Sequence, residues 1–327
     1  MEPLRQIQKI EQMKVLGDSR RLVILQRLMA GPETLSTLGK ALGEHPARVR
    51  HHLKILEKAG LVELVATQPV RGFVEKYYQA KAQAFAFNGL ILPYAGKNGR
   101  ETVVAIGSHD LALEMLAERT GMLTLSVGSL EGLLALRQGN ATIAGCHLLD
   151  PDSGEYNLPF VKHFFPDRMV SLFTLCYREQ GLIVAPGNPK GIRSLEDLSR
   201  PEITLANRIQ GSGTRIWLDR QLQRLGIPTS SVRGYDKTIQ THTALAESIA
   251  SGQADTGLGL RAAAQQAGLD FIPLFEERYD LVVPEEQLDN PALSVVLDRL
   301  SSGPFRKLMA GLGGYNPERA GERRRNE

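Results

Sequence analysis

Between residues 18 and 60 the apolar positions fall at helical spacing in three short runs, each closed by a glycine. Asp18-Ser19 opens the first, which carries Leu22, Val23, Leu25 and Leu28 and ends at Gly31-Pro32. Thr34 opens the second, with Leu35, Leu38 and Leu42 ahead of Gly43. The third is expected from about Pro46 to Lys58, with proline in its first turn, a stripe of Val49, Leu53 and Leu56, and Gly60 as the stop. After Gly60 the period becomes alternating, and LVELVA and FVEKYY on either side of Arg71-Gly72 read as a hairpin. Helix, turn, helix and two-stranded wing is the winged-helix pattern.

Beyond residue 101 the pattern changes again. TVVAIGS, LTLSVGS and ATIAGCHLL read as strands, and DLALEMLAER and LEGLLALRQG between them as helices. Such alternation implies a parallel sheet covered by helices, an α/β architecture. A long strand-like stretch, SLFTLCYREQGLIVAPG, then leads to a second set containing ITLANR, the helix after GSGT, THTALAESIASG and ADTGLGL. FIPLFEERYDLVVP leads back. Two crossings between two α/β lobes are the type II periplasmic-binding-protein plan, with a cleft between the lobes. The expected division is 1–92 for the winged helix, 93–101 for a linker and 102–315 for the two-lobed domain. Lobe one takes about 102–180 and 276–315, lobe two about 181–275, and 316–327 is expected to be a disordered tail.

Charge separates the same parts. Residues 1–95 hold 14 Lys/Arg against 8 Asp/Glu, a balance of +6, whereas 96–327 hold 25 against 28, or −3. The first third is therefore the polyanion partner. No apolar run reaches eighteen residues and the charged start, MEPLRQIQKIEQMKVL, is helix-like and unlike a signal peptide, so a cytoplasmic protein without membrane attachment is expected. Cys146 and Cys176 lie thirty residues apart in apolar surroundings; two reduced buried thiols are expected, and no metal site.

Two places carry candidate chemistry. The outer face of the third helix presents Arg48, Arg50, His51, His52 and Lys54, and the wing adds Arg71 and Lys76. Arg48 and Arg50 suit guanine edges, and Lys54, Arg71 and Lys76 suit phosphates of double-stranded DNA. The other place is three strand-to-helix turns: Gly107-Ser108-His109-Asp110, Gly128-Ser129-Leu130, and Asn207 to Thr214. Hydroxyls and orphan N–H groups at a helix start bind anions. Ser108, His109, Ser129, His147, Arg208, Ser212, Gly213 and Thr214 are the candidate ligand contacts. Singly, Ser108, Asp110 and Ser129 read better as helix caps than as ligand contacts, and His147 reads equally as a structural histidine. Tyr156 and Asn157 either close over a ligand or make a turn, and Arg178 falls near a crossing.

The stretch HPARVRHHLKILEKAGLVELV with VRGFVEKYYQA, within residues 10–85, resembles the arsenic-repressor (ArsR) type of winged helix. The resemblance implies a homodimer that sets its Pro46–Lys58 helices in successive major grooves. The cysteine pair of metal-sensing members is missing, so metal sensing is not implied. GSHDLALEML, GLLALRQGNATIAGCHLLD, EYNLPFV, REQGLIVAPGNPKGI, NRIQGSGTRIWLD and ADTGLGLRAAA resemble a periplasmic-binding-protein-like domain associated with molybdenum metabolism, and more distantly tungstate-binding proteins. In those, a hydroxyl-rich turn and an Arg-Gly-x-x-Ser-Gly-Thr turn hold the dianion; Arg208 and Thr214 match the second, while His109 stands where the first has a hydroxyl. The implied ligand is molybdate or tungstate, or else the molybdenum cofactor; no other cofactor is expected.

Enzyme readings find little support. Ser108-His109-Asp110 are consecutive and cannot converge as a triad, and GxSxG, GxxxxGK and HExxH are absent from the sequence. A ligand-responsive, non-enzymatic transcription regulator is the expected function, with a cytoplasmic carrier or accessory protein of molybdenum-cofactor synthesis as the alternative.

Overall fold

The computed structural model describes residues 1–7, 12, 15–70, 73–87, 89–91 and 102–326, and divides into two units, Met1–Thr102 and Val103–Glu327. The linker expected at 93–101 and the hairpin tip at Arg71 lie outside the described residues.

In the first unit, α1 (Ser19–Ala30), α2 (Leu35–Leu42) and α3 (Pro46–Lys58) start where the caps predict. Asp18 Oδ1 accepts from the Arg20 and Arg21 amides, and Thr34 and Thr37 form a reciprocal capping box. Gly43 ends α2 in the left-handed region at φ 63°. Leu25, Leu28, Leu38, Leu53 and Leu56 are buried together, which holds the three helices to the antiparallel wing of β2 (Val62–Val70) and β3 (Phe73–Ala80). The chain start opens on a short strand ahead of the helix expected there, of which Gln12, Val15 and Leu16 are helical. β1 (Arg5–Gln6) pairs parallel with β4 (Phe85–Phe87), itself paired with β5 (Gly89–Ile91). Ile7 and Phe85 are buried in the unit's core, so apolar contact fixes this edge.

The second unit is built on one sheet. Its strands are β6 (Val104–Gly107), β7 (Leu123–Ser126), β8 (Ile143–Cys146), β9 (Val170–Val184), β10 (Leu205–Arg208), β11 (Thr238–Ile239), β12 (Thr256–Leu260) and β13 (Asp270–Pro284), in the order β11-β10-β12-β9-β13-β8-β6-β7. The two fifteen-residue strands, β9 and β13, pair antiparallel along their whole length. Their opposite ends carry different neighbours: β8 joins β13 at Asp280–Val282, and β12 joins β9 at Gln180–Val184. That arrangement makes two lobes hinged on two shared strands. Lobe one carries α4 (Leu111–Thr120), α5 (Ser129–Arg137) and α6 (Leu158–Phe164); lobe two carries α7 (Gly213–Arg224), α8 (His242–Ala250) and α9 (Arg261–Gln266). α10 (Pro291–Ser301) and α11 (Gly303–Ala310) follow β13.

The chain end corrects the expectation of a disordered tail. β14 (Tyr315–Asn316) and β15 (Arg323–Arg325) both pair with β9, Arg323 meets Glu285 at 2.7 Å, and the Thr174 amide donates to the Glu322 carbonyl. The free edge of β9 and the Glu285 carboxylate give an otherwise polar segment somewhere to bind.

Candidate functional site

On the first unit, Val49, Leu53 and Leu56 turn α3 inward and leave its other face in solvent. Arg48, Arg50, His51 and Lys54 are exposed on α3, and Lys76 is exposed on β3. Arg48 is held by Glu44 at 3.2 Å. His52 is turned away from that face: its side chain is mostly buried, with Nδ1 3.9 Å from the Asp18 carboxylate that caps α1. Leu35, Pro46, Ala47, Arg50, His51 and Lys54 line a shallow groove between the starts of α2 and α3.

In the second unit the hinge strands and the strand-to-helix turns bring a cluster of polar side chains out of water. Arg178 of β9 and Glu277 of β13 are direct cross-strand partners, and Arg178 Nε donates to Glu277 Oε1 at 2.7 Å. Its NH1 donates to Asp110 Oδ2 at 2.6 Å, and Tyr315 donates its hydroxyl to the same oxygen. Asp110 Oδ1 meanwhile caps α4 through the Leu113 amide. Gln180 donates to Glu277 Oε1 and to Thr214 Oγ1. Burial by itself raises the Glu277 carboxyl; the charge His147 gains once acid protonates it, the charge of Arg178 and the bonds from His147 and Gln180 outweigh burial and hold the carboxyl at about 2.

His147 sits between Glu277, 2.8 Å from Nδ1, and Ser108, 2.8 Å from Nε2. Burial pushes its imidazole below the ordinary range, so the neutral ring donates from Nδ1 to the carboxylate and accepts the Ser108 hydroxyl at Nε2. His109 crosses the cleft: Nε2 donates to Glu114 at 3.0 Å, and Nδ1 accepts the His242 amide at the start of α8.

Several predicted contacts are therefore satisfied by the protein. The Ser108 hydroxyl is committed to His147, Ser129 Oγ accepts the His147 amide, and Ser212 Oγ donates to the Ile209 carbonyl and caps α7. The Ser129 and Leu130 amides at the start of α5 donate to the Gly211 carbonyl of lobe two, at 3.1 and 3.3 Å. Gly213 packs against the His147 carbonyl so closely that a Cβ would collide with it. Asn157, at φ 64°, braces the Leu148 amide and the Asp280 carboxylate and makes a turn; Arg215 stacks on Tyr235 at 3.9 Å and holds Asp219.

Two buried basic side chains stand apart. Arg208 of β10 is 1% exposed, donates one NH1 bond to the Ile239 carbonyl, and leaves Nε without a partner. Burial and the neighbouring Arg178, partly opposed by Glu277, lower its guanidinium to about 9, so it stays cationic at neutral pH. His242, fully buried, has neither ring nitrogen partnered; burial, then Arg208 and Arg178, push it well below its ordinary range. Gln180 Oε1 is unpartnered as well. Sequence reasoning found Arg208 but missed Glu277, Gln180 and His242. The signal for Glu277 was present, as Glu276, Glu277, Arg278 and Asp280 interrupt a strand that is apolar after them.

Among the described residues, no group of three His, Cys, Asp or Glu side chains is placed to hold a metal ion, and no helix is long and apolar enough to cross a membrane. Cys146 and Cys176 are free and buried.

The model of a helix-turn-helix domain matches residues 16–65, and that of the PBP superfamily domain matches residues 112–301. A Bacillus subtilis (strain 168) relative, the uncharacterized protein YvgK, is 36% identical over 236 residues, 70% of this chain and 75% of that protein. Among solved structures, an ABC-type phosphate transport receptor from Vibrio cholerae is 16% identical at a TM-score of 0.43, covering 65% of this chain and 99% of its own. The sulfate-binding protein SubI from Mycobacterium tuberculosis H37Rv is 15% identical at a TM-score of 0.44, covering 65% and 85%. With more than half of its residues inside one family match, this chain belongs to the PBP superfamily domain family, joined to a helix-turn-helix domain.

Proposed function

We propose that this protein is a cytoplasmic, non-enzymatic transcription regulator of ArsR-like type. Its α3 reads DNA as part of a homodimer, and an anion held between the lobes of its second unit biases that affinity. The observation that carries the sensing half is a buried guanidinium and a buried imidazole with unpartnered nitrogens: Arg208, where the turn to Thr214 begins, and His242, at the start of α8. Buried donors left unpaired cost about 1–3 kcal/mol each, and an oxyanion accepting from both relieves that cost. Molybdate and tungstate are the ligands that the family resemblance implies, with the molybdenum cofactor as the alternative.

The DNA half rests on Arg48, Arg50, His51, Lys54 and Lys76 standing exposed on one helix and one wing, in a domain matched by a helix-turn-helix model. A ligand shifts DNA affinity only by the difference in its affinity for the two states. Isothermal titration with molybdate, tungstate and sulfate on wild type and Arg208→Ala tests the pocket; binding to wild type and its loss in the variant are expected, and equal heats discard the pocket. Fluorescence anisotropy with the protein's own upstream DNA tests the reader; affinity is expected to fall steeply with salt and to change with the bound anion. A flat response to both removes the regulator reading.

A further inference from the structure

Next to the polar cluster lies a cavity of about 520 Å³ that the bare-anion reading leaves unexplained. Its inner end is shared with the cluster, at His147, Gly213 and Glu277. Tyr156 and Phe160 line it from lobe one, and Trp217, stacked on Phe275 with ring centroids 3.9 Å apart, lines it from lobe two and the hinge. α7 supplies much of the far wall because Gly213, Trp217, Arg220 and Arg224 recur at three- and four-residue spacing and so share one face.

Size and chemistry both argue against a tetrahedral oxyanion as the whole ligand. Counting each oxygen at a water's share of about 30 Å³, a four-oxygen anion fills ~120 Å³. The cavity falls instead in the range of organic-ligand sites, roughly 300–1,000 Å³, which are mostly apolar with a few fixed polar groups. Four aromatic rings favour a flat π-system. The charge lining it is unbalanced: Arg220 and Arg224 have exposed side chains on its wall, and its one acid, Glu277, already accepts from Arg178, Gln180 and His147. Two guanidiniums beside aromatic walls suit a phosphate or carboxylate carried on a planar ring.

We infer that the cleft's ligand is a planar heteroaromatic anion, its ring between Tyr156, Phe160 and Trp217 and its acidic group at Arg220 and Arg224. This rests on the reading that the interlobe cleft is the sensor site, and names the class of molecule it takes.

Trp217 is the single tryptophan of the chain, so its fluorescence reports on this cavity alone. The full-length protein is titrated with guanosine monophosphate, flavin mononucleotide and pyridoxal phosphate, with guanosine, inorganic phosphate and molybdate as controls. Binding is also followed by calorimetry, and in Trp217→Phe to remove the optical signal. At least one ring phosphate is expected to quench Trp217 and bind tenfold or more tighter than guanosine or inorganic phosphate. The exposed double variant Arg220→Ala/Arg224→Ala should weaken that binding about tenfold while leaving the thermal midpoint of the unliganded protein unchanged. Quenching by none of the three, or equal affinity in the double variant, overturns the inference. If molybdate then still binds with dependence on Arg208, the oxyanion reading stands without it; if neither kind of anion binds, that reading falls too.

Discussion

Glu277 shows what one charged residue does when a sheet buries it. It sits opposite Arg178 on the paired hinge strands and takes hydrogen bonds from three side chains. Replacing it with glutamine leaves Arg178 with one carboxylate instead of two, and a broken buried pair costs about 3–5 kcal/mol. Urea unfolding of Glu277→Gln should show a loss in that range, and Arg178→Met, which strands both Glu277 and Asp110, should lose more. The pH dependence follows from sign. The folded Glu277 carboxyl titrates near 2 against 4.5 unfolded, so its contribution is present above about 4.5 and lost as pH falls toward 2. His242 is held well below 6.5, so the unfolded chain binds a proton that the folded ring refuses. Stability should therefore drop as pH falls below about 6.5, and thermal melts of His242→Gln should flatten that slope. At this scale the sequence was only partly legible. Arg208 was readable because it sits in a spaced turn motif, whereas His242 occupies the first position of a helix, where a polar residue ordinarily meets solvent.

Elements were more legible, because caps and glycines act locally. α1, α2 and α3 begin at the residues after Asp18, Thr34 and His45. On α3, Arg50→Ala should cost about 1–3 kcal/mol of affinity for a specific site, and Lys54→Ala should weaken binding to all sequences alike and lower the salt slope by about 1. Anisotropy titrations across salt separate the two, and a uniform loss for Arg50→Ala would assign it to phosphate instead. Short strands were the illegible elements. β1 and β15 have two and three residues, too few for any period, and exist because β4 and β9 offer edges. Removing residues 322–327 takes away the bonds from Glu322 and Asn326 to β9 and the Arg323–Glu285 pair. That truncation should cost about 2–4 kcal/mol at roughly 1 kcal/mol per bond, read from chemical denaturation.

For the whole molecule, the alternation of helices and strands announced the two-lobed plan, while the interlobe contacts depend on residues far apart in sequence and stayed hidden. A ligand that binds the folded state stabilises it by about 2.7 kcal/mol at one hundred times its dissociation constant, so the melting midpoint should climb with concentration. An anion that binds without raising it would be one that the folded and unfolded chains bind alike, held by no folded site. The meeting of Gly128 and Gly211 carries a last consequence. Both have positive φ, at 118° and 79°, and a Cβ on Gly128 would stand 3.1 Å from the Gly211 carbonyl carbon, beside the bond that joins α5 to lobe two. The Glu131 carboxylate, the first group a Cβ at either glycine would meet, stands at the same meeting point. A single methyl group at Gly128 is a wedge against the facing Gly211 backbone, and Gly128→Ala should weaken whatever the cleft binds, as read by calorimetric titration.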